Sequence, residues 1–385
     1  MRKHLATCLW PLTLLLMTLL AAPGAHSQTQ SAEKKKVIFD QDADGVIGGN
    51  ENPLVMLLQA DNIDVVGVTV MTGNGWLKQE TADVLKLLEL MNRPDVPVYM
   101  GSEFPLLQTR EELWLLTKLY GGNRTDAFLG AYAENNPGPD VVTPPPGGFS
   151  KLKPQPGHAA EFMIKTIREN PHKIILYCGG ALTNVALAIS IAPDIVPLTK
   201  EIVFMGTSPA YQPKTVNVIY DPESAKIVLR APWPKLTLVT VDISEKVHMS
   251  PELAEAIADG KNKPIADLHR ELVVKPYKEG RRNSWFRMPD ELEAAYIIDP
   301  SIFTETRSYY VDIDTMQGME YSASVFWDEF PKGYGGGPWP EHPGPKAQKP
   351  VPPPNARVAN VLWEFDVERF KKLFVDLMTR PQRGH

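Results

Sequence analysis

Apolar and polar positions alternate along the chain in a pattern that predicts buried strands separated by helices. Short runs rich in β-branched residues are typical of strands buried on both faces, and apolar residues three or four positions apart are typical of helices. The predicted strands cover residues 37–39, 65–70, 96–99, 174–177, 202–205 and 236–241. The predicted helices cover residues 53–60, 79–91, 159–170, 183–191 and 222–229.

This order of elements predicts the fold class. Strands that alternate with helices form a mainly parallel sheet with helices on both faces, so we expect an open α/β fold. Two segments rich in Pro and Gly, residues 136–157 and 332–355, interrupt the pattern. A strand over 357–365 and a helix over 366–378 are predicted after the second segment. We therefore expect one domain over residues 28–385 that carries two long loops.

The composition agrees with a globular fold and argues against one class of partner. Of the 385 residues, 43% are hydrophobic and 22% are charged, proportions unlike those of disordered or collagen-like chains. The net charge is −6, and no basic run is longer than Lys34-Lys35-Lys36. A nucleic-acid partner is therefore not expected, because binding to phosphates requires clustered basic residues.

Residues 1–27 have the pattern of a secretory signal peptide. Arg2 and Lys3 precede an apolar run over 9–22, and Ala25-His26-Ser27 supplies small residues at a cleavage site. An uncleaved anchor is the alternative, but the run is shorter than the ~20 residues that span a bilayer. We expect a secreted or periplasmic protein that is free of the membrane after cleavage. Cys178 is then its single cysteine, so an internal disulfide is excluded.

Polar residues follow several predicted strands at the point where each strand ends, which is where parallel sheets bind ligands. The first strand runs into Asp40, Asp42 and Asp44, with Glu51 and Asn52 just before the first helix. Carboxylate and amide oxygens suit a hard cation such as Ca²⁺. A polar loop with a helix cap at Asn52 is the alternative. The later candidates are Asn74, Gly179, Asn217 and Asp290.

Taken in chain order, these segments resemble the inosine-uridine-preferring nucleoside hydrolase family. Residues 37–42 match the start of the family's D-x-D-P-G-x-D-D cluster, and residues 68–74 resemble its second-strand segment. Residues 178–184 resemble its T-G-P-L-T-N turn. Residues 203–225 and 290–300 resemble its M-G-G … F-N … D-P-E-A and H-D-P … D-P segments. The resemblance spans residues 36–380 and implies the nucleoside hydrolase fold.

The resemblance also implies an activity and roles for particular residues. It implies a calcium-dependent hydrolase that cleaves the N-glycosidic bond of a nucleoside to a free base and ribose, in an assembly of two or four copies. The implied metal ligands are Asp42, which is also the base that activates water, Asn52, the Gly179 carbonyl and Asp290. The implied sugar-binding residues are Asn74 and Asn217, and Asp40 orients the cluster. Trp285 and Phe286 offer aromatic faces for the base, with core packing as the alternative.

Three positions depart from the family's pattern. The paired D-D before the first helix is Glu51-Asn52, and extra residues separate this pair from Asp42, so Asp44 and Glu51 are alternatives to Asn52 as the metal ligand. The family's His before the late Asp is Pro289, which carries no proton, and the Glu before its Phe-Asn is Thr215. Two other functions therefore stay open: a non-catalytic nucleoside- or sugar-binding protein, and a hydrolase of another ribosyl or glycosyl conjugate.

Overall fold

The computed structural model describes residues 33–120, 129–210, 213–281, 286–327 and 356–383. Three predicted features lie outside these ranges: the signal peptide over 1–27, the loop over 332–355, and Trp285. The contacts within Lys34–His385 form one compact unit.

The described strands form a single nine-stranded sheet. In chain order they are β1 (Lys35–Gln41), β2 (Ile63–Val70), β3 (Val98–Met100), β4 (Ile174–Cys178), β5 (Glu201–Met205), β6 (Leu236–Val239), β7 (Phe303–Ile313), β8 (Ser324–Trp327) and β9 (Arg357–Phe365). Their order in the sheet is β3-β2-β1-β4-β5-β6-β9-β7-β8. In this order, each strand from β3 at the edge through to β9 pairs in parallel with the next. β7 pairs antiparallel with both β9 and β8.

The strand order reverses direction between β1 and β4, which are hydrogen-bonded neighbours. From β1 the chain moves outward to β2 and β3, and from β4 it moves outward in the opposite direction to β5 and β6. Connections then leave the two central strands toward opposite faces, and a crevice opens beyond their carboxyl ends. This edge is therefore the expected place for a ligand.

The described helices cover both faces of the sheet. They are α1 (Asn52–Gln59), α2 (Leu77–Leu90), α3 (Arg110–Tyr120), α4 (Ala159–Glu169), α5 (Thr183–Ile191), α6 (Ile195–Leu198), α7 (Val216–Tyr220), α8 (Pro222–Arg230), α9 (Val241–Ser244), α10 (Pro251–Ala258), α11 (Lys263–His269), α12 (Lys275–Lys278), α13 (Pro289–Ile298) and α14 (Val367–Thr379). None of the helices in the described ranges is long and apolar enough to cross a membrane.

Alternating side chains of β1 bury two separate apolar cores. Val37 and Phe39 point into the core that includes residues of α1, α2, α13 and α14, and Phe39 stacks on Tyr177 of β4. Ile38 points into the opposite core, which includes residues of α4, α5 and α8. This burial on both faces explains why β1 reads as a continuous apolar run instead of an alternating one.

The predicted open α/β fold with helices on both faces is confirmed. The predicted strand over 236–241 is too long, because the chain turns into α9 at Val241. Strands β7 and β8 were not expected. β7 alternates between exposed and half-buried positions over most of its length, as befits a strand near the edge of the sheet, and so lacks the apolar run of the central strands. The predicted loop over 136–157 lies along α2, where Gln79 Oε1 accepts a hydrogen bond from the Thr143 amide at 2.7 Å.

Candidate active site

A cavity of about 750 Å³ opens at the carboxyl edge of the sheet. Its walls come from the segments that follow β1, β2, β5 and β6 and from the start of α13, as the strand order leads one to expect. The polar residues that line it include Asp44, Asn50, Glu51, Asn74, Asn217 and Asp290. The edge therefore combines several carboxylates with amides that can bind hydroxyl groups.

Asp42 lies two residues beyond Asp40 at the end of β1 and is 1% exposed. Its Oδ2 accepts a hydrogen bond from the Asn74 backbone amide at 2.9 Å, and the Asn50 side chain donates to its Oδ1 at 3.3 Å. Burial, followed by the negative charge of Asp290, raises the pKa of Asp42 well above its usual range. The carboxylate is thus held in a fixed orientation and is a strong proton acceptor when ionised.

Asp290 and Gly179 meet beside this carboxylate. Asp290 is in the first turn of α13, where its Oδ1 accepts from the Gln41 side chain at 3.3 Å, and burial raises its pKa to about 7. A Cβ atom at Gly179 would lie 1.8 Å from Gln41 Oε1 and 2.9 Å from Asp290 Oδ1. Only glycine fits this close approach, so the turn after β4 brings bare backbone against both side chains.

The two asparagines predicted to bind sugar both line the cavity. The Asn217 side chain donates to the Gly179 carbonyl at 2.6 Å and to the Met205 carbonyl at 2.9 Å. Both of its amide hydrogens are used in this way, which leaves its side-chain oxygen as an acceptor for a hydroxyl group. Asn74 contacts Asp42 through its backbone amide and, at 3.4 Å, through its side chain.

Glu51 and Asn52 face different surroundings, although they are neighbours in sequence. Glu51 lines the cavity and is 1% exposed, and neither of its carboxylate oxygens is hydrogen-bonded to a residue that the structure describes. The Asn52 side chain instead donates to Glu291 at 2.9 Å, and its oxygen lies 3.3 Å from His269 Nε2. The structure therefore places Asn52 in a buried polar contact outside the cavity lining and offers Glu51 as the carboxylate at this point.

Asp40 lies within β1, beneath the cavity. Its Oδ1 accepts from Thr69 Oγ1 at 2.6 Å and from the Asn184 side chain at 2.9 Å, and its Oδ2 has no partner among the residues that the structure describes. Burial raises its pKa to about 7. These contacts tie β1 to β2 and to the start of α5, in keeping with the predicted role of orienting the residues that follow.

Two further acids on α2 were not found from the sequence. Glu80 is fully buried and accepts from the Gly75 amide at 2.5 Å, and Asp83 accepts from the Gly45 amide at 3.2 Å. Burial, and then the charge of Asp42, raises the pKa of Glu80. Their spacing of three places both on one face of α2, and that face could have been recognised as acidic.

The donor chemistry of this edge fits a hard cation. Among the described residues, no Lys or Arg forms an ion pair with Asp42, Glu51 or Asp290. Buried oxygens of Glu51 and Gln41 have no hydrogen-bond donor in the described ranges. Within the described ranges no three acidic, His or Cys side chains are grouped closely enough to hold an ion as they stand. Ionising the buried carboxylates nevertheless requires a positive charge nearby, because an isolated carboxylate ion is costly to bury.

The remaining wall of the cavity is apolar and basic. It contains Phe286, which lies against Gly49 of the β1–α1 loop, and Pro289 at the start of α13. It also contains Arg287 and His248, which pair across an isolated antiparallel bridge. The structure thus brings Phe286 to the cavity as the sequence predicted, and it adds His248, which the sequence analysis missed.

Comparisons with known proteins agree with this architecture. The family model described as inosine-uridine preferring nucleoside hydrolase matches residues 37–372. An uncharacterized protein of Schizosaccharomyces pombe is 30% identical over 305 residues, covering 75% of this chain and 88% of that protein. The pyrimidine-specific ribonucleoside hydrolase RihA of Salmonella typhi is 28% identical over 278 residues, covering 69% and 82%. A solved plant nucleoside hydrolase, PpNRh1, matches with a TM-score of 0.67 at 20% identity, covering 90% and 99%.

Proposed function

Because the chain belongs to the inosine-uridine-preferring nucleoside hydrolase family, we propose that it is an exported, calcium-dependent enzyme that releases ribose and a free base from nucleosides. Membership makes the chain an N-glycosyl hydrolase of ribonucleosides. Calcium, export and the roles of individual residues belong to the proposal.

One observation carries the proposal of a metal. Asp42, Glu51 and Asp290 are buried at one edge of the sheet, and in the part of the chain that the structure describes no basic side chain neutralises them. Three such groups would be costly to ionise without a cation. Calcium accepts six to eight oxygen ligands in flexible geometry, so it suits a set of mixed carboxylate and carbonyl donors.

We assign Asp42, Asp290 and the Gly179 carbonyl as ligands, as the sequence resemblance implied. Glu51 takes the position that the resemblance gave to Asn52, because no described residue donates a hydrogen bond to the Glu51 carboxylate, whereas the Asn52 side chain already contacts Glu291 and His269. When bound, the ion supplies positive charge that orients sugar hydroxyls and lowers the pKa of a coordinated water.

The protein's own side chains then carry out the remaining chemistry. Asp42 accepts the proton of the attacking water. The Asn74 amide fixes the orientation of that carboxylate, while Asn217 offers its side-chain oxygen to a sugar hydroxyl. The positive charge that develops on the ribose in the transition state is stabilised by the surrounding carboxylates.

The proposal is tested by measuring ribose release from a panel of purine and pyrimidine nucleosides, with added Ca²⁺ and with a chelator. We expect release that the chelator abolishes and added Ca²⁺ restores. Release that is unaffected by the chelator would contradict the metal assignment alone. No release from any nucleoside, together with tight nucleoside binding, would instead support the non-catalytic alternative.

Three buried carboxylates predict how the stability of the metal-free protein depends on pH. Burial raises the pKa of Asp40 and Asp290 to about 7 and that of Asp83 to about 6. The folded protein therefore holds protons that the unfolded chain releases. The stability that these protons supply is complete below about pH 4 and is lost as the pH rises toward about 7.

We expect the Tm of the chelator-treated protein to fall by at least ~5 °C between about pH 5 and about pH 8. Calcium should stabilise the protein more at the higher pH, because it binds ionised carboxylates. Thermal unfolding at both pH values, with CaCl₂ or with NaCl of equal ionic strength, measures this difference. Equal stabilisation by CaCl₂ at both pH values would contradict the prediction.

The proposal of export rests on the sequence of residues 1–27. Arg2 and Lys3, the apolar run over 9–22 and the small residues before position 28 have the order of a signal peptide. An exported hydrolase of this kind would act on nucleosides outside the cytoplasm.

A further inference from the structure

We propose that His248 is the general acid that protonates the departing base, an assignment that rests on the proposed nucleoside hydrolysis. A nucleobase is a poor leaving group when it departs as an anion, so its departure is easier if a proton reaches it as the glycosidic bond breaks. Pro289 occupies the position where the family resemblance implies an acidic His, and proline has no proton to give. If the base leaves as a neutral molecule, its proton must therefore come from another donor in the same cavity.

His248 is held close to that position by the backbone. It pairs with Arg287 in an antiparallel bridge, and the Met249 amide donates to the Phe286 carbonyl at 2.9 Å. Residues directly opposite each other in such a pair project to the same face, about 5 Å apart. Arg287 is two residues before Pro289. The residues of this region that line the cavity are His248, Phe286, Arg287 and Pro289. His248 is thus on the same wall as the missing acid and is exposed to a ligand.

The segments that neighbour His248 carry several charged groups. On its own segment Glu245 forms an ion pair of 2.6 Å with Arg287, which lies opposite His248. Asp290 at the start of α13 and Asp44 and Glu51 in the loop after β1 line the same cavity. His248 therefore faces a guanidinium whose charge is paired and a set of carboxylates on the metal side of the cavity.

Among the described histidines, His248 alone lines the cavity. His269 is fully buried against Asn52, and burial lowers its pKa to about 3, so it stays neutral and has no spare proton to donate. His158 caps α4, and His172 follows the same helix at the amino edge of β4. The position of His248 therefore distinguishes it from the other described histidines.

The proposed step balances in atoms and charge. The C1′–N bond breaks, and its electron pair stays on the base, which takes the proton of the His248 imidazolium. The oxygen of water bonds to C1′, and its proton passes to Asp42. The products are ribose and the neutral base. His248 regains a proton from solvent, Asp42 loses one, and the enzyme returns to its starting state.

The test compares two substrates with different needs for an acid. A nucleoside such as inosine or uridine requires protonation of its base, whereas p-nitrophenyl β-D-ribofuranoside releases a stable phenolate without it. We expect His248→Gln to lower kcat about 100-fold with the nucleoside and to leave kcat for the nitrophenyl riboside within about threefold. The basic limb of the nucleoside pH–rate profile should also disappear in this variant.

His172→Asn is the matched control, because it removes an exposed histidine whose positive φ of 61° asparagine also adopts readily. It should hydrolyse both substrates at the parent rates. An equal fall on both substrates in His248→Gln, or no fall on either, would overturn the assignment of His248 while leaving nucleoside hydrolysis intact. If the parent protein cleaves neither substrate, the proposed function itself fails, and the role of His248 fails with it.

Discussion

Asp42→Ala is expected to abolish nucleoside hydrolysis, lowering kcat/KM by at least ~1000-fold. The change removes the group that accepts the proton of water and, in the same atoms, a proposed calcium ligand. Asp42→Asn keeps the shape of the side chain and should be nearly as inactive, because an amide accepts no proton near neutral pH. The measurement is ribose release at saturating Ca²⁺ with purified, folded variants.

The folded state should tolerate these changes. Burial and the charge of Asp290 raise the pKa of Asp42, so the ionised carboxylate is unfavourable in the metal-free protein. The Tm of metal-free Asp42→Asn should equal or exceed that of the parent. Asp64→Asn is the matched control and should keep full activity. Asp64 is at the amino end of β2, where it forms a partly exposed ion pair with Lys36. Asp42→Ala with activity within threefold of the parent would refute the assigned mechanism.

Glu51→Gln is expected to weaken calcium binding by more than ~100-fold, with a matching loss of activity at limiting Ca²⁺. Glu51 lines the cavity, and no residue in the described part of the chain donates a hydrogen bond to its two buried carboxylate oxygens. The substitution removes its formal charge. Even residues that only support metal ligands cost 10- to 100-fold when they are replaced, so a direct ligand should cost more. Calorimetric titration with Ca²⁺ measures the change.

Asn52→Ala is the contrasting variant from the neighbouring position. It should leave calcium affinity within about threefold of the parent but lower the free energy of unfolding by ~2–4 kcal/mol, because Glu291 and His269 both lose a buried partner. The reverse result, with calcium binding lost in Asn52→Ala and kept in Glu51→Gln, would restore the assignment that the sequence resemblance implied.

The contrast between Glu51 and Asn52 shows which part of the site could not be predicted from the sequence. Asp42 could be placed from the sequence, because it follows a buried strand whose end lies at a known edge of the sheet. Glu51 and Asn52 lie at the start of a helix, where successive side chains point about 100° apart. Compared with the family's pattern, extra residues separate Asp42 from this helix, so the position of Asp42 does not determine how the helix is rotated about its axis. Only the structure shows which of the two side chains faces the cavity.

His248 shows a second reason why part of the site could not be predicted from the sequence. It belongs to neither a helix nor a long strand, and its place in the cavity depends on a bridge to Arg287, a residue far along the chain. No local pattern of spacing signals such a pairing. The fold, by contrast, follows from many similar apolar runs at once, and so its central strands and helices could be predicted from the sequence.

The hydrogen bond between Gln41 and Asp290 joins residues that are 249 positions apart. The carboxylates that we assign to calcium therefore come together only after the first strand, the turn following β4 and helix α13 have all docked. A nascent or truncated chain that lacks α13 has only part of the site, whatever its secondary structure. Ion binding would then occur late in folding, and the rate at which a refolding chain acquires calcium would report the docking of α13 against β1 and not the nucleation of the sheet.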